Sequence, residues 1–202
     1  LKRKLKSNYL LKTFSSLANQ TSIHLSILLF GLFLLFFFTN ISAQEEEIVK
    51  VKTFVSKSAI HPGETFKVAL EASVSPGWHI HAHELADEFL IPTEIVFEGS
   101  ERIEIVKYSY PEPRLEKFEY SESALQIYDG EVILGALVKT DAGLELGSHK
   151  IKGSLSFQAC DSRSCLPPKK IEFEISFKAV PASQKTEEVN QGIFSKLNFG
   201  KI

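Results

Sequence analysis

The sequence predicts an all-β sandwich preceded by an export segment. Three observations carry this reading. Apolar residues alternate at strand period from Glu47 onward, the strand-like runs are punctuated by Gly, Pro, Asp or Ser, and a basic stretch followed by an apolar run opens the chain. With 202 residues, 44% of them hydrophobic, there is room for one compact domain with flanking segments but hardly for two.

Residues 1–43 read as the export signal. Lys2, Arg3, Lys4, Lys6 and Lys12 precede the apolar run Ile23–Phe38, and no acidic residue occurs before Glu45. Ile41 and Ala43 fit a signal-peptidase site, with Ala43 as the small residue before the cut. The same run is about long enough to stay in the bilayer as an anchor. In both cases the positive charges stay inside and the rest of the chain lies outside the cytoplasm.

The expected sandwich spans residues 44–180. Val49 and Val51 begin it, and Phe66, Val68 and Leu70 then alternate with Lys67 and Ala69, as in a strand with one buried face. Between them, Pro62-Gly63 reads as a turn, Pro presetting φ and Gly supplying a positive one. Trp78–His83, Thr93–Glu98, Ile103–Tyr108, Glu131–Lys139, Lys150–Phe157 and Lys170–Phe177 continue the strand series, leaving no length for crossover helices. From Pro181 the rhythm stops, so residues 181–202 are expected to be a solvated linker or tail, in which Ile193, Phe194, Leu197 and Phe199 form a small apolar patch.

All 25 acidic residues follow position 43, whereas five of the 23 basic ones precede it. The exported part is therefore acidic, which excludes a nucleic-acid partner and favours solubility and protein or small-molecule partners. No nucleophile elbow or phosphate loop accompanies Asp87 and Glu88, so a hydrolase site is not indicated.

The two cysteines stand as Cys160-Asp161-Ser162-Arg163-Ser164-Cys165. In an oxidising compartment they can pair. As a staple, so short a ring stabilises by only about 2 kcal/mol. As a functional group, an accessible ring after a strand can open and close by thiol–disulfide exchange. Asp161 disfavours a thiolate and Arg163 favours one, and spacing alone leaves both readings open.

Phe157-Gln158-Ala159-Cys160 followed by Cys165-Leu166-Pro167-Pro168 resembles the active-site segment of the N-terminal periplasmic domain of the disulfide reductase DsbD. Pro76-Gly77-Trp78-His79-Ile80-His81, Ile91-Pro92-Thr93, Tyr108-Ser109-Tyr110-Pro111, Phe118 and Ile127-Tyr128 extend the likeness over roughly residues 47–178. The resemblance implies an immunoglobulin-like sandwich in the periplasm, a component of protein-disulfide reduction of the kind that serves cytochrome c biogenesis. Such a domain takes electrons from a thioredoxin-like domain or a membrane electron-transfer protein and passes them to thioredoxin-like clients. It needs no cofactor and no metal. Cys165 would form the mixed disulfide, Cys160 would resolve it, and a loop carrying Phe118 would cap the pair. His79 and His81 stand where the best-known members have tyrosines. They join Asp161 and Arg163 as active-site neighbours or partner-facing residues.

His79, His81 and His83 alternate with Ile80 and Ala82, so their imidazoles are expected on one strand face. That face reads as an exposed polar surface, with zinc or copper ligation by the row as the sharper alternative. The rival to the carrier reading as a whole is a non-catalytic envelope module with a structural disulfide.

Overall fold

The computed structural model describes Phe30, residues 47–98 and residues 100–200. The expected signal or anchor at 1–43 lies outside these residues apart from Phe30. Among the described residues no helix is long and apolar enough to cross a membrane.

The unit that begins at Glu47 is built almost wholly of antiparallel strands. They are β1 (Val49–Val55), β2 (Thr65–Val74), β3 (His79–His81), β4 (Glu94–Phe97), β5 (Ile103–Ser109) and β6 (Arg114–Glu116). β7 (Leu125–Tyr128), β8 (Glu131–Thr140), β9 (Gly147–Phe157), β10 (Ala159–Cys160) and β11 (Lys169–Ala179) follow, and a single helical turn, α1 (Gln191–Phe194), comes last. The strands form three sheets, ordered β1-β2-β8-β5, β11-β9-β4 and β10-β3-β7-β6.

Alternation sets the two larger sheets face to face. In β11, Phe173, Ile175, Phe177 and Ala179 are buried while Glu172, Glu174, Ser176 and Lys178 are exposed, the pattern of a strand with one wet face. β2 and β8 supply Phe66, Val68, Leu70, Leu134, Ala136 and Val138 to the same core, and β9 adds Ile151, Leu155 and Phe157. Phe66 and Phe177 meet across the core with ring centroids 5.2 Å apart. Gly63, at φ 83°, makes the turn after Pro62 and closes it with Glu64 N–H on the His61 carbonyl at 3.0 Å.

β2 departs from the expected single buried face. Ala69 is fully buried as well, because the segment after Val180 does not run free as a linker but packs on the outer side of β2 and β8. Phe194 is buried against Ala69 and Ile133, with Phe54, Ile193 and Leu197 around it. The approach is close at Gly135, where a β-carbon would collide with Leu197 and the Val68 carbonyl. Ser58 N–H donates to the Glu187 carbonyl at 2.9 Å and Val189 N–H to the Ser56 carbonyl at 2.8 Å, while Phe199 is buried beneath Lys67. Ile193, Phe194, Leu197 and Phe199 supply the anchor, and spacing too irregular for a strand hid their destination.

Leu85–Leu90, between β3 and β4, holds only turns and bends. The small sheet β10-β3-β7-β6 is the structural basis of the site, because it brings residues 79–81 and 159–160 side by side.

Candidate functional site

β10 pairs with β3 in the register Ala159↔Ile80 and Cys160↔His79. Because side chains alternate along a strand, Cys160, His79 and His81 all project from the same face of this pair. Cys160 is completely buried, with its sulfur bonded to that of Cys165. The Cα atoms of the two cysteines are 4.0 Å apart.

The ring is shaped by Asp161. Its carboxylate accepts the backbone N–H groups of Arg163 at 2.7 Å and Ser164 at 2.8 Å, and its own N–H donates to the Ser164 carbonyl at 2.9 Å. The two backbone donors hold the Asp161 carboxyl below the usual carboxylate range. Leu166 N–H then donates to the Ala159 carbonyl, and the Gln158 amide donates to that of Leu166, closing the base of the ring. From Ser162 to Pro168 the chain is exposed. One cysteine is thus locked in the sheet while the other is open to solvent. Arg163 is exposed and enters the ring's hydrogen bonding through its backbone.

The histidine row is not an exposed face. His79 and His81 are buried, and each of the three rings has its own partners. His79 stacks on Phe118, with centroids 4.3 Å apart, and its Nε2 is 3.1 Å from the Tyr120 hydroxyl. His81 directs Nδ1 to the Ile91 carbonyl at 3.1 Å and Nε2 to Cys160 Sγ at 3.6 Å. A carbonyl only accepts, so the proton sits on Nδ1, and in the neutral ring Nε2 presents its lone pair to the sulfur. His83 stacks on Tyr110 at 3.6 Å and gives Nδ1–H to the Thr93 carbonyl. The rings of the row therefore do not converge on one point. Burial pushes His79 and His81 below the ordinary histidine range; His81 adds to the effect on His79, whereas the Ile91 contact partly offsets it for His81.

Phe118 lies just after β6, in a small cluster with Leu125, Ile127 and Leu90 that is separate from the main core. Its ring is stacked between His79 and Tyr120, the latter at 5.3 Å. Burial, and after it the nearby Asp161 and Glu116 carboxylates, raise the Tyr120 phenol. Phe118 thus reaches the disulfide's surroundings through His79, the cross-strand partner of Cys160.

Sequence reasoning gave no role to Tyr120, Ile91 or Thr93. Tyr120 carried a readable signal, an aromatic two positions beyond Phe118. Ile91 acts through its carbonyl and Thr93 through a hydroxyl donated to the His81 carbonyl, and neither contact leaves a trace in composition.

The family described as thiol:disulfide interchange protein DsbD, N-terminal, matches residues 45–176. Among solved structures, the N-terminal periplasmic domain of ScsB from Proteus mirabilis aligns at 18% identity and TM-score 0.46, covering 70% of this chain and 52% of that one. The chain therefore spans about half of that structure. PapD-like domain 7 of human CEP192 aligns at 11% identity and TM-score 0.32, over 67% of this chain and 87% of its own. A family 123 glycoside hydrolase from Clostridium perfringens gives the same identity and TM-score, over 68% and 28%. No curated protein matches the chain.

Proposed function

This chain belongs to the family of DsbD N-terminal domains, and from that membership we propose that it is a periplasmic carrier of electrons between thioredoxin-like proteins. The observation that carries the proposal is the asymmetry of the disulfide, Cys160 buried in the β3–β10 pair and Cys165 open to solvent.

In the loading step a thiolate of the reductant attacks Cys165 Sγ, the S–S bond breaks, and Cys160 leaves with the electron pair and takes up a proton. The reductant's second thiol then attacks its own sulfur in the mixed disulfide and releases Cys165 as a thiolate. In the delivery step the Cys165 thiolate attacks a client disulfide, and Cys160 displaces the client from Cys165, restoring the ring. Two electrons and two protons pass on per cycle. Cys160 is suited to resolving because strand pairing holds it beside its target.

Phe118 and Tyr120 act in this scheme as an apolar cover that limits access by small thiols. A partner displaces the cover on docking, and the exposed Leu166 and Tyr120 offer it apolar surface.

Trapping tests the assignment. Cys160→Ala should accumulate mixed disulfides with envelope thioredoxin-like proteins through Cys165, and Cys165→Ala should form none. Equal trapping by both variants would refute the division of roles, and a bond in the native protein that resists a thioredoxin-like reductant would identify a structural staple instead.

A further inference from the structure

Thiol exchange leaves one feature of the site unused. His81 is fully buried, its Nδ1–H is committed to the Ile91 carbonyl, and its Nε2 lone pair points at Cys160 Sγ from 3.6 Å. A disulfide sulfur has no hydrogen to offer that lone pair. Metal-binding histidines are typically prepared in this way, one ring nitrogen anchored on a carbonyl and the other left free to ligate. Nε2 and the two sulfurs all lie within 4.8 Å of one another, a grouping of three such donors found among the described residues.

We propose that the reduced protein binds one Cu(I) ion through Cys160 Sγ, Cys165 Sγ and His81 Nε2. This inference rests on the proposed reducibility of the disulfide. A thiol reductant supplies two electrons and two protons, opening S–S to two thiols while it is itself oxidised to a disulfide. Cu(I) then displaces both thiol protons to solvent and forms two S–Cu bonds and one N–Cu bond, with no change in its own valence.

The geometry favours a three-donor site. Bonds of about 2.0–2.3 Å to nitrogen and sulfur place trigonal donors roughly 3.7 Å apart, close to the 3.6 Å already present between Nε2 and Cys160 Sγ. Reaching that spacing between the sulfurs requires the S–S bond to be open and Cys165 to swing outward, and Cys165 is the cysteine in the exposed ring. Soft thiolates suit Cu(I), whose three-coordinate geometry these donors complete by themselves, whereas zinc on the same Cys2His set takes a water as its fourth ligand. Oxidation abolishes the site because it consumes both thiolates. Metal loading in turn blocks exchange, since both sulfurs are then occupied.

The full chain is reduced with dithiothreitol, freed of it anaerobically, and titrated with Cu(I) against bicinchoninate. The proposal predicts one Cu(I) per reduced chain, none for the oxidised chain, and an X-ray absorption shell of two sulfurs and one nitrogen. His81→Phe should weaken binding at least tenfold while its cysteines still exchange with a thioredoxin-like protein. A sulfur-only shell in the wild type, or undiminished affinity in a folded His81→Phe variant, would overturn the metal site and leave the carrier reading standing. Failure of a thioredoxin-like reductant to open the disulfide in the folded chain would instead overturn the carrier reading and this inference with it.

Discussion

Two short segments lie against the same sandwich and are held in opposite ways. The chain after Glu187 is fixed by apolar anchors, Phe194 and Phe199 buried, with backbone hydrogen bonds to residues 56 and 58 and a Lys57–Glu188 ion pair at 3.7 Å. The ring from Cys160 to Cys165 has one buried end, and beyond Asp161 it is exposed polar chain shaped by its own hydrogen bonds. Burial fixes a segment, and withholding burial leaves a bond accessible to chemistry. The disulfide contributes little loop-closure stabilisation across so few residues, which suits the proposed role of a bond that opens.

The largest expected effect tests the anchored side of this contrast. Deleting residues 187–202 strips Phe194 and Phe199 from the outer face of the sheet and exposes Ala69 and Ile133, so stability should fall by about 3–5 kcal/mol in denaturant melts. The strand rhythm of the sequence, which stops at Pro181, predicts instead that removing residues 181–202 is harmless. An unchanged midpoint would show that the docked segment contributes little.

Phe118→Ala addresses the proposed cover between the two regimes. Its ring sits in a satellite cluster rather than the main core, so truncation should cost about 2 kcal/mol, less than the 3–5 of a central phenylalanine. Native-state reduction by a small dithiol should accelerate under conditions where the variant stays folded. A cost of core size, with reduction following global unfolding, would make Phe118 a packing residue only.

Glu64 carries the smallest effect, near the anchored segment. Burial opposes its ionisation, but the His61 N–H at 3.0 Å and the Lys57 ammonium hold its carboxyl below the ordinary range. A carboxyl whose folded pKa is depressed adds stability that is complete above its ordinary pKa and is lost as pH falls through the folded value. Glu64→Gln should therefore cost about 1 kcal/mol at neutral pH and flatten the acid limb of the stability curve. An acid limb identical to wild type would remove Glu64 from the account.

The strands were legible because period-two alternation, as in Phe173–Ala179, directly reports one buried face. The cysteine pair was legible as a local ring. Which strands neighbour one another was not, and the site depends on it: the pairing of Cys160 with His79 across 81 positions turns a row of histidines from an apparent polar surface into buried neighbours of the disulfide. The docking of Phe194 stayed hidden for the same reason, since its partners Ala69 and Ile133 are remote in sequence and the small residue at Gly135 that admits the segment looks like any strand glycine.

In the proposed exchange the accessible sulfur, Cys165, receives the attacking thiolate. This assignment is tested most directly by incubating the oxidised wild-type chain with a thioredoxin-like protein that lacks its resolving cysteine and locating the adduct by peptide mass spectrometry. A mixed disulfide on Cys165 with Cys160 free is the expected product, and an adduct on Cys160, or none, would refute the proposed exchange.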